Sequence, residues 1–181
     1  MFFIFSLVGQ GFSLAINFMN KEFFKKRIRL KDFDYIGRYR YFVTICTNKT
    51  VGQCFNIANK EVIDELIEML KFTAKQFDFT VWVYCFMPDH LHLLVEGNSD
   101  TSNFKKFISM FKQKSGFYYN KIFGKKLWQI NYYEHVLRRE EVTEKVARYI
   151  LENPVRKGLV EDFRKYPFSG SFVFDINSLQ T

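Results

Sequence analysis

One run does most to limit what this chain can become: FTVWVYCFM-PD-HLHLLVE, from Phe79 to Glu96. Phe79 to Met87 is β-branched and aromatic, the composition of a strand. Pro88-Asp89 is turn chemistry, since proline presets φ and aspartate suits tight turns. His90 to Glu96 then resumes a strand, antiparallel to the first if the turn is tight. The chain is therefore expected to contain this hairpin.

The flanking segments extend the pattern. Tyr41 to Thr47 (YFVTICT) reads as a further buried strand. Asn59 to Lys75 reads as a helix with Asn59 as N-cap, and Ile63, Leu66, Ile67, Leu70 and Thr73 recur on one face. Ser102 to Phe123 is a second helix, with Phe104, Phe107, Ile108 and Phe111 at helical spacing. Residues 128–138 look extended. Glu140 to Glu152 is helical and stops at Asn153-Pro154, because the residue before proline is pushed out of the α region. The order strand, helix, strand, strand, helix, strand predicts an α+β fold of ferredoxin-like split βαβ plan. Helices lie on one face of an antiparallel sheet, with a C-terminal helix added. One face of such a sheet is often open to a ligand.

With 181 residues, no internal repeat and no linker rich in Pro, Gly or Ser, the chain suits one domain, expected over residues 41–170 with a tail at 171–181. Residues 1–18 are apolar but lack a basic start and a cleavage site, and the run is short for a membrane span. They are expected to be an upstream extension or disordered, with translation starting at Met19 and no membrane partner. Residues 19–40 form a basic arm. Three cysteines without a Cys-x-x-Cys pair indicate neither zinc cluster nor disulfide framework, and point to a reducing cytoplasm.

The net charge of +8 favours a polyanionic partner. The charge is concentrated: Thr101 to Lys126 holds seven lysines, among them Lys105, Lys106, Lys112 and Lys114, and no acid. Phe117, Tyr118, Tyr119 and Trp128 are interleaved with them. Cationic surface with aromatic rings suits a nucleic-acid strand that is held by its backbone and stacked through its bases. The bland alternative is a solvated helix face, although such faces normally mix both signs.

His90 and His92, two apart on a strand, leave the same face of the sheet. They are either half of a divalent-metal site or one core and one solvent-facing histidine. Tyr149 and Asn153, four apart on the last helix, share a face and offer a nucleophile and an oxygen ligand. Tyr118, Tyr119, Tyr132 and Tyr133 compete for the first role.

Two runs carry a resemblance. Tyr84 to Glu96, YCFMPDHLHLLVE, resembles the histidine-hydrophobe-histidine strand of single-tyrosine transposases. Trp128 to Val160, WQINYYEHVLRREEVTEKVARYILENPVRKGLV, resembles the REP-associated tyrosine transposase branch of that insertion-sequence superfamily. There a Trp-Gln, a Tyr-x-His-x-x-Arg-like stretch and a Tyr-Ile-x-x-Asn-Pro stretch recur in this order. The likeness spans residues 37–170.

The resemblance implies that His90 and His92 are metal ligands and Tyr149 the nucleophile. Asn153 stands where the insertion-sequence branch carries a glutamine ligand. No second tyrosine lies four residues from Tyr149, unlike the two-tyrosine relatives. Mg²⁺ or Mn²⁺ is the implied cofactor, and hairpin-forming, REP-like single-stranded DNA the implied partner, handled beside the nucleoid by a monomer or homodimer. Lys105, Lys106, Lys112, Lys114, Trp128, Gln129, Tyr133, Arg138 and Arg156 are the expected DNA contacts. Glu134 and His135 fall in a family stretch and serve either as DNA contacts or as support. Tyrosine attack would leave a 5′-phosphotyrosine and a free 3′-hydroxyl. Rival readings are a non-cleaving nucleic-acid module, a nuclease using metal-activated water, and a small-molecule metalloenzyme, the last disfavoured by the lysine run.

Overall fold

The computed structural model describes residues 32–138 and 142–179. The expected extension at 1–18, residues 19–31 of the basic arm, and the last two residues of the tail lie outside the described residues. The chain divides into two units, Met1–Phe33 and Asp34–Thr181, and the second is the one considered below.

Five strands form one sheet: β1 (Arg40–Cys46), β2 (Phe79–Met87), β3 (His90–Gly97), β4 (Tyr133–Val136) and β5 (Ser169–Gly170). Their order is β4-β1-β3-β2-β5, and every neighbouring pair is antiparallel. The hairpin of the central strands closes at Pro88-Asp89, and the turn is anchored because Asp89 accepts from the Thr47 amide at 2.9 Å. Leu91 to Val95 are buried without interruption, as expected of a central strand covered on both faces.

Two helices cover one face. α1 (Lys60–Gln76) buries Ile63, Leu66, Leu70, Thr73 and Ala74. α2 (Phe104–Phe123) buries Phe104, Phe107, Ile108, Phe111, Ser115 and Tyr119. Phe104 stacks on Tyr41 of β1 with centroids 4.0 Å apart, and Phe107 on Phe79 of β2 at 4.7 Å. α2 ends at Gly124, whose left-handed φ of 65° a side chain would resist. α3 (Thr143–Leu151) lies on the opposite face, burying Val146, Ala147, Ile150 and Leu151. A single further turn, α4 (Asn153–Arg156), follows it. Among the described residues no helix is long and apolar enough to cross a membrane.

The α+β plan is as the element order predicts, and the differences are local. Asn59 occupies the N-cap position of α1, as expected, but its side chain makes no capping bond; its amide donates to the Cys54 carbonyl at 2.7 Å, while Asn56 caps the 3₁₀ turn before the helix. α2 starts two residues late because Ser102 is spent inward, its hydroxyl donating to Asp78 O at 2.8 Å, so Asn103 becomes the cap. Of the extended stretch 128–138 only Tyr133–Val136 pairs as a strand, with an isolated bridge from Trp128 to Thr47.

Candidate active site

Strand register decides which side chains meet. Cys46 and Thr44 of β1 lie directly across from His90 and His92 of β3, and Cys85 of β2 flanks His92 on the other side. Directly opposed residues of antiparallel strands share a face. Phe42, Thr44, His90 and His92 therefore occupy one face, joined from β4 by Tyr133 and His135. This is the face that α3 covers, away from α1 and α2.

The two imidazoles turn their Nε2 atoms towards each other at 3.0 Å. Each is fixed from behind. Asp89 Oδ1 stands 2.6 Å from His90 Nδ1, and Thr44 Oγ1 stands 2.9 Å from His92 Nδ1. A carboxylate can only accept, so His90 Nδ1 carries the proton and Nε2 keeps its lone pair in the neutral ring. The Thr44 hydroxyl can accept from His92 Nδ1 and so permits the same tautomer there. Burial holds His92 well below its ordinary value, and the neighbouring His90 and Arg156 add to this. His90 is also lowered, mainly by burial, with Asp89 opposing. Both rings are then neutral near neutral pH.

Two lone pairs facing each other repel unless a proton or a metal cation lies between them. Nitrogens about 2.1 Å from one ion, at a right angle, sit about 3.0 Å apart. The pair thus fits two adjacent positions of a six-coordinate divalent ion. Among the described residues no group of three or more His, Cys, Asp or Glu could hold a metal, so a fuller shell has to draw on another residue type. Asn153 is such a residue: it is buried, and its Nδ2 has no hydrogen-bond partner. A half-turn of the amide exchanges that nitrogen for the oxygen a hard ion prefers.

Tyr149 is half-buried on α3. Its ring meets the edge of Phe42 at 6.4 Å, and Phe42 in turn stacks on His92 at 5.4 Å and contacts Tyr133 at 6.2 Å. One phenyl ring thus links the tyrosine to the histidines. The Arg156 guanidinium lies over the Tyr149 ring at 4.1 Å and donates to the Tyr149 carbonyl at 2.6 Å. At its start α3 is tied to the sheet by Arg40, which donates to the Thr143 hydroxyl. Arg40 also faces Glu96 at 3.5 Å, and Glu96 accepts from the Trp82 indole at 2.8 Å.

The rival tyrosines separate by layer. Tyr119 is buried on the α1–α2 side, and burial pushes it up to about 12. Tyr132 packs against Phe104 on that same side, and Tyr118 belongs to α2. Only Tyr133 shares the histidine face with Tyr149.

The expected DNA contacts are less unified than the sequence suggests. Lys105, Lys106, Lys112 and Lys114 belong to α2, on the far side of the sheet from the histidines. Lys112 bonds the carbonyls of Gln129 and Ile130 at 2.8 Å each, Lys114 reaches Gln76 and the Phe72 ring, and Lys105 lies over Tyr35. Lys106 is exposed.

Trp128 requires a correction. It is 3% exposed, its indole donates to Ser115 at 2.9 Å, and it packs on Phe55, so the ring is core and cannot stack on a base. Gln129 is half-buried and bonds the Thr47 carbonyl, acting as a loop brace. Glu134 points to the α2 face, buried and accepting from Tyr35 at 3.3 Å. His135 is half-buried on the histidine face, and Arg138 is exposed. Phe42 and Thr44 were missed by sequence reasoning. Only the register of β1 against β3 reveals them.

A family model described as transposase, IS200-like, matches residues 35–153. A Haemophilus influenzae protein named as a REP-associated tyrosine transposase is 27% identical over 159 residues, covering 82% of this chain and 86% of its own length. The REP-associated tyrosine transposase of Escherichia coli K12 is 29% identical over 99 residues, 52% of this chain and 54% of its own. Among solved structures, a REP-associated tyrosine transposase bound to a REP hairpin shares the fold with a TM-score of 0.64 at 20% identity, over 79% of this chain and 82% of that one. Divalent-metal chemistry is general to transposases of this kind. The chain belongs to the IS200-like transposase family.

Proposed function

We propose that this transposase nicks and rejoins single-stranded DNA through Tyr149, on hairpin-bearing strands of REP type. The observation carrying this reading is the linked geometry of Tyr149, Phe42 and a histidine pair whose Nε2 atoms converge. His90 and His92 would hold Mg²⁺ or Mn²⁺, with the Asn153 side chain as third ligand. Such an ion supplies charge withdrawal from a non-bridging oxygen of the scissile phosphate.

The chain's own residues do the rest. Asp89 and Thr44 fix the ring tautomers, and Phe42 spaces the tyrosine from the histidines. Tyr149 Oη bonds to phosphorus as its proton leaves, the P–O3′ bond breaks, and the departing 3′ oxygen takes up a proton. The phosphotyrosine retains the energy of the diester. A different 3′-hydroxyl can therefore displace the tyrosine and reseal the strand without a nucleotide cofactor. Hairpin preference rests on the relatives' names and on the hairpin held by the structural neighbour.

The test is a denaturing gel of protein, Mn²⁺ or Mg²⁺, and a hairpin-bearing strand labelled on the side 3′ of the cut. A covalent adduct abolished by Tyr149→Phe is expected. Cleavage that survives Tyr149→Phe would replace tyrosine attack with activated water. An adduct lost instead in Tyr133→Phe would move the nucleophile to β4.

A further inference from the structure

Arg156 stands among the expected DNA contacts, yet its side chain folds back along its own chain. A phosphate-binding arginine needs its donor fork turned to solvent. Here the fork is engaged three ways. Nη2 donates to the Tyr149 carbonyl, the plane covers the Tyr149 ring at 4.1 Å, and Nη1 faces Glu152 at 3.6 Å. Glu152 also faces Arg148 at 3.6 Å, so the carboxylate is itself held from two sides.

The local chain makes this reach possible. Asn153-Pro154 breaks α3, because proline has no N–H to continue the helical bonding. The chain resumes as the single turn α4, in which the Arg156 amide bonds Glu152 O and the Lys157 amide bonds Asn153 O. Arg156 is thereby seven residues from Tyr149, two turns along, and long enough to fold back over its ring. That ring also meets Phe42, nearly perpendicular to it. The phenol is held by an arginine plane and a phenyl ring.

We infer that Arg156 is a positioning residue for the nucleophile: its guanidinium holds the Tyr149 ring in place against Phe42, the ring that stacks on His92. This deepens the proposed function and rests on it. A half-buried tyrosine on a helix otherwise samples more than one rotamer, and in-line attack tolerates little misplacement. The interaction depends on a planar fork, so lysine should not replace it, whereas lysine serves well at a simple phosphate contact.

The test uses full-length Arg156→Lys and Arg156→Gln, with hairpin-bearing single-stranded DNA as probe. Adduct formation is measured in single turnover at saturating DNA, and binding is measured across a salt series. Positioning predicts that both variants form adduct about 10- to 100-fold more slowly, with affinity and salt slope as in the wild type. A wild-type rate in Arg156→Lys overturns the inference, as does a salt slope lowered by about one in Arg156→Gln, the mark of a lost phosphate contact. Loss of the folded far-ultraviolet spectrum in both variants would also overturn it, making Arg156 structural. Failure of the underlying reading looks different: the wild type itself would then give no adduct dependent on Tyr149.

Discussion

The two faces of the sheet are built by different rules. Towards α1 and α2 the contact is dominated by aromatic rings: Tyr41 on Phe104, Phe79 on Phe107, and Trp128 against Phe55 and Phe111. Towards α3 the covering helix is shorter, and polar groups are retained beneath it: His90, His92, Thr44 and Asn153. Burying such groups costs free energy unless they are paired or bind something. The first face supplies stability and the second retains the polar groups of the proposed chemistry, with β3 contributing alternate residues to each.

Substitutions can break this division or sharpen it. The largest expected effect is on the α3 face: His92→Ala or Tyr149→Phe abolishes DNA cutting while hairpin binding, followed by gel shift, persists. Full cutting by either variant would remove the site from that face. On the other face Trp128→Ala should cost about 3–5 kcal/mol of stability, read from denaturant unfolding. Among preparations that remain folded it should leave the cleavage rate at saturating DNA unchanged. Asp89→Asn lies between these extremes. It weakens the carboxylate behind His90, and metal affinity by titration should fall about 10- to 100-fold with little change in unfolding midpoint.

Acid provides a further contrast. Burial keeps His92 well below its ordinary 6.5, so the unfolded chain takes up a proton first as pH falls. Its contribution to stability is present above about that value and is lost below it. Unfolding midpoints in chelator should therefore fall between pH 7.5 and 5.5, and His92→Gln should flatten the slope. The smallest effect concerns α2. If Lys106 contacts a phosphate, Lys106→Ala lowers the salt slope of DNA binding by about one and leaves single-turnover cutting untouched. An unchanged slope would mark that helix as a solvated face.

Much of this was legible in the chain. The hairpin from Phe79 to Gly97 declares itself because its strands are apolar and its turn carries Pro88-Asp89. A spacing of two places His90 and His92 on one face for any strand. What periodicity cannot give is layer. The lysines of α2 and the arginines beyond Arg138 read as one continuous charge in sequence, but a sheet separates the helix from the histidines. Trp128 was misread for a related reason: an aromatic ring among lysines suits stacking or core equally, and the Ser115 hydroxyl that receives its N–H is visible only once α2 is folded. Thr44 and Phe42 depend on strand register. Arg156 depends on the helical turn resuming after Pro154, which brings it two turns along from Tyr149 and over its ring.

The tie at the start of α3 has an optical consequence. The chain holds two tryptophans. Trp128 is sealed in the core, so its emission should stay constant while the fold is intact. Trp82 is half-buried, and its indole bonds Glu96, which faces Arg40, which in turn holds Thr143. Any displacement of the tyrosine helix that pulls Thr143 from Arg40 would alter the charges beside that indole. The molecule thus carries its own fluorophore for watching the helix that bears Tyr149, without a label.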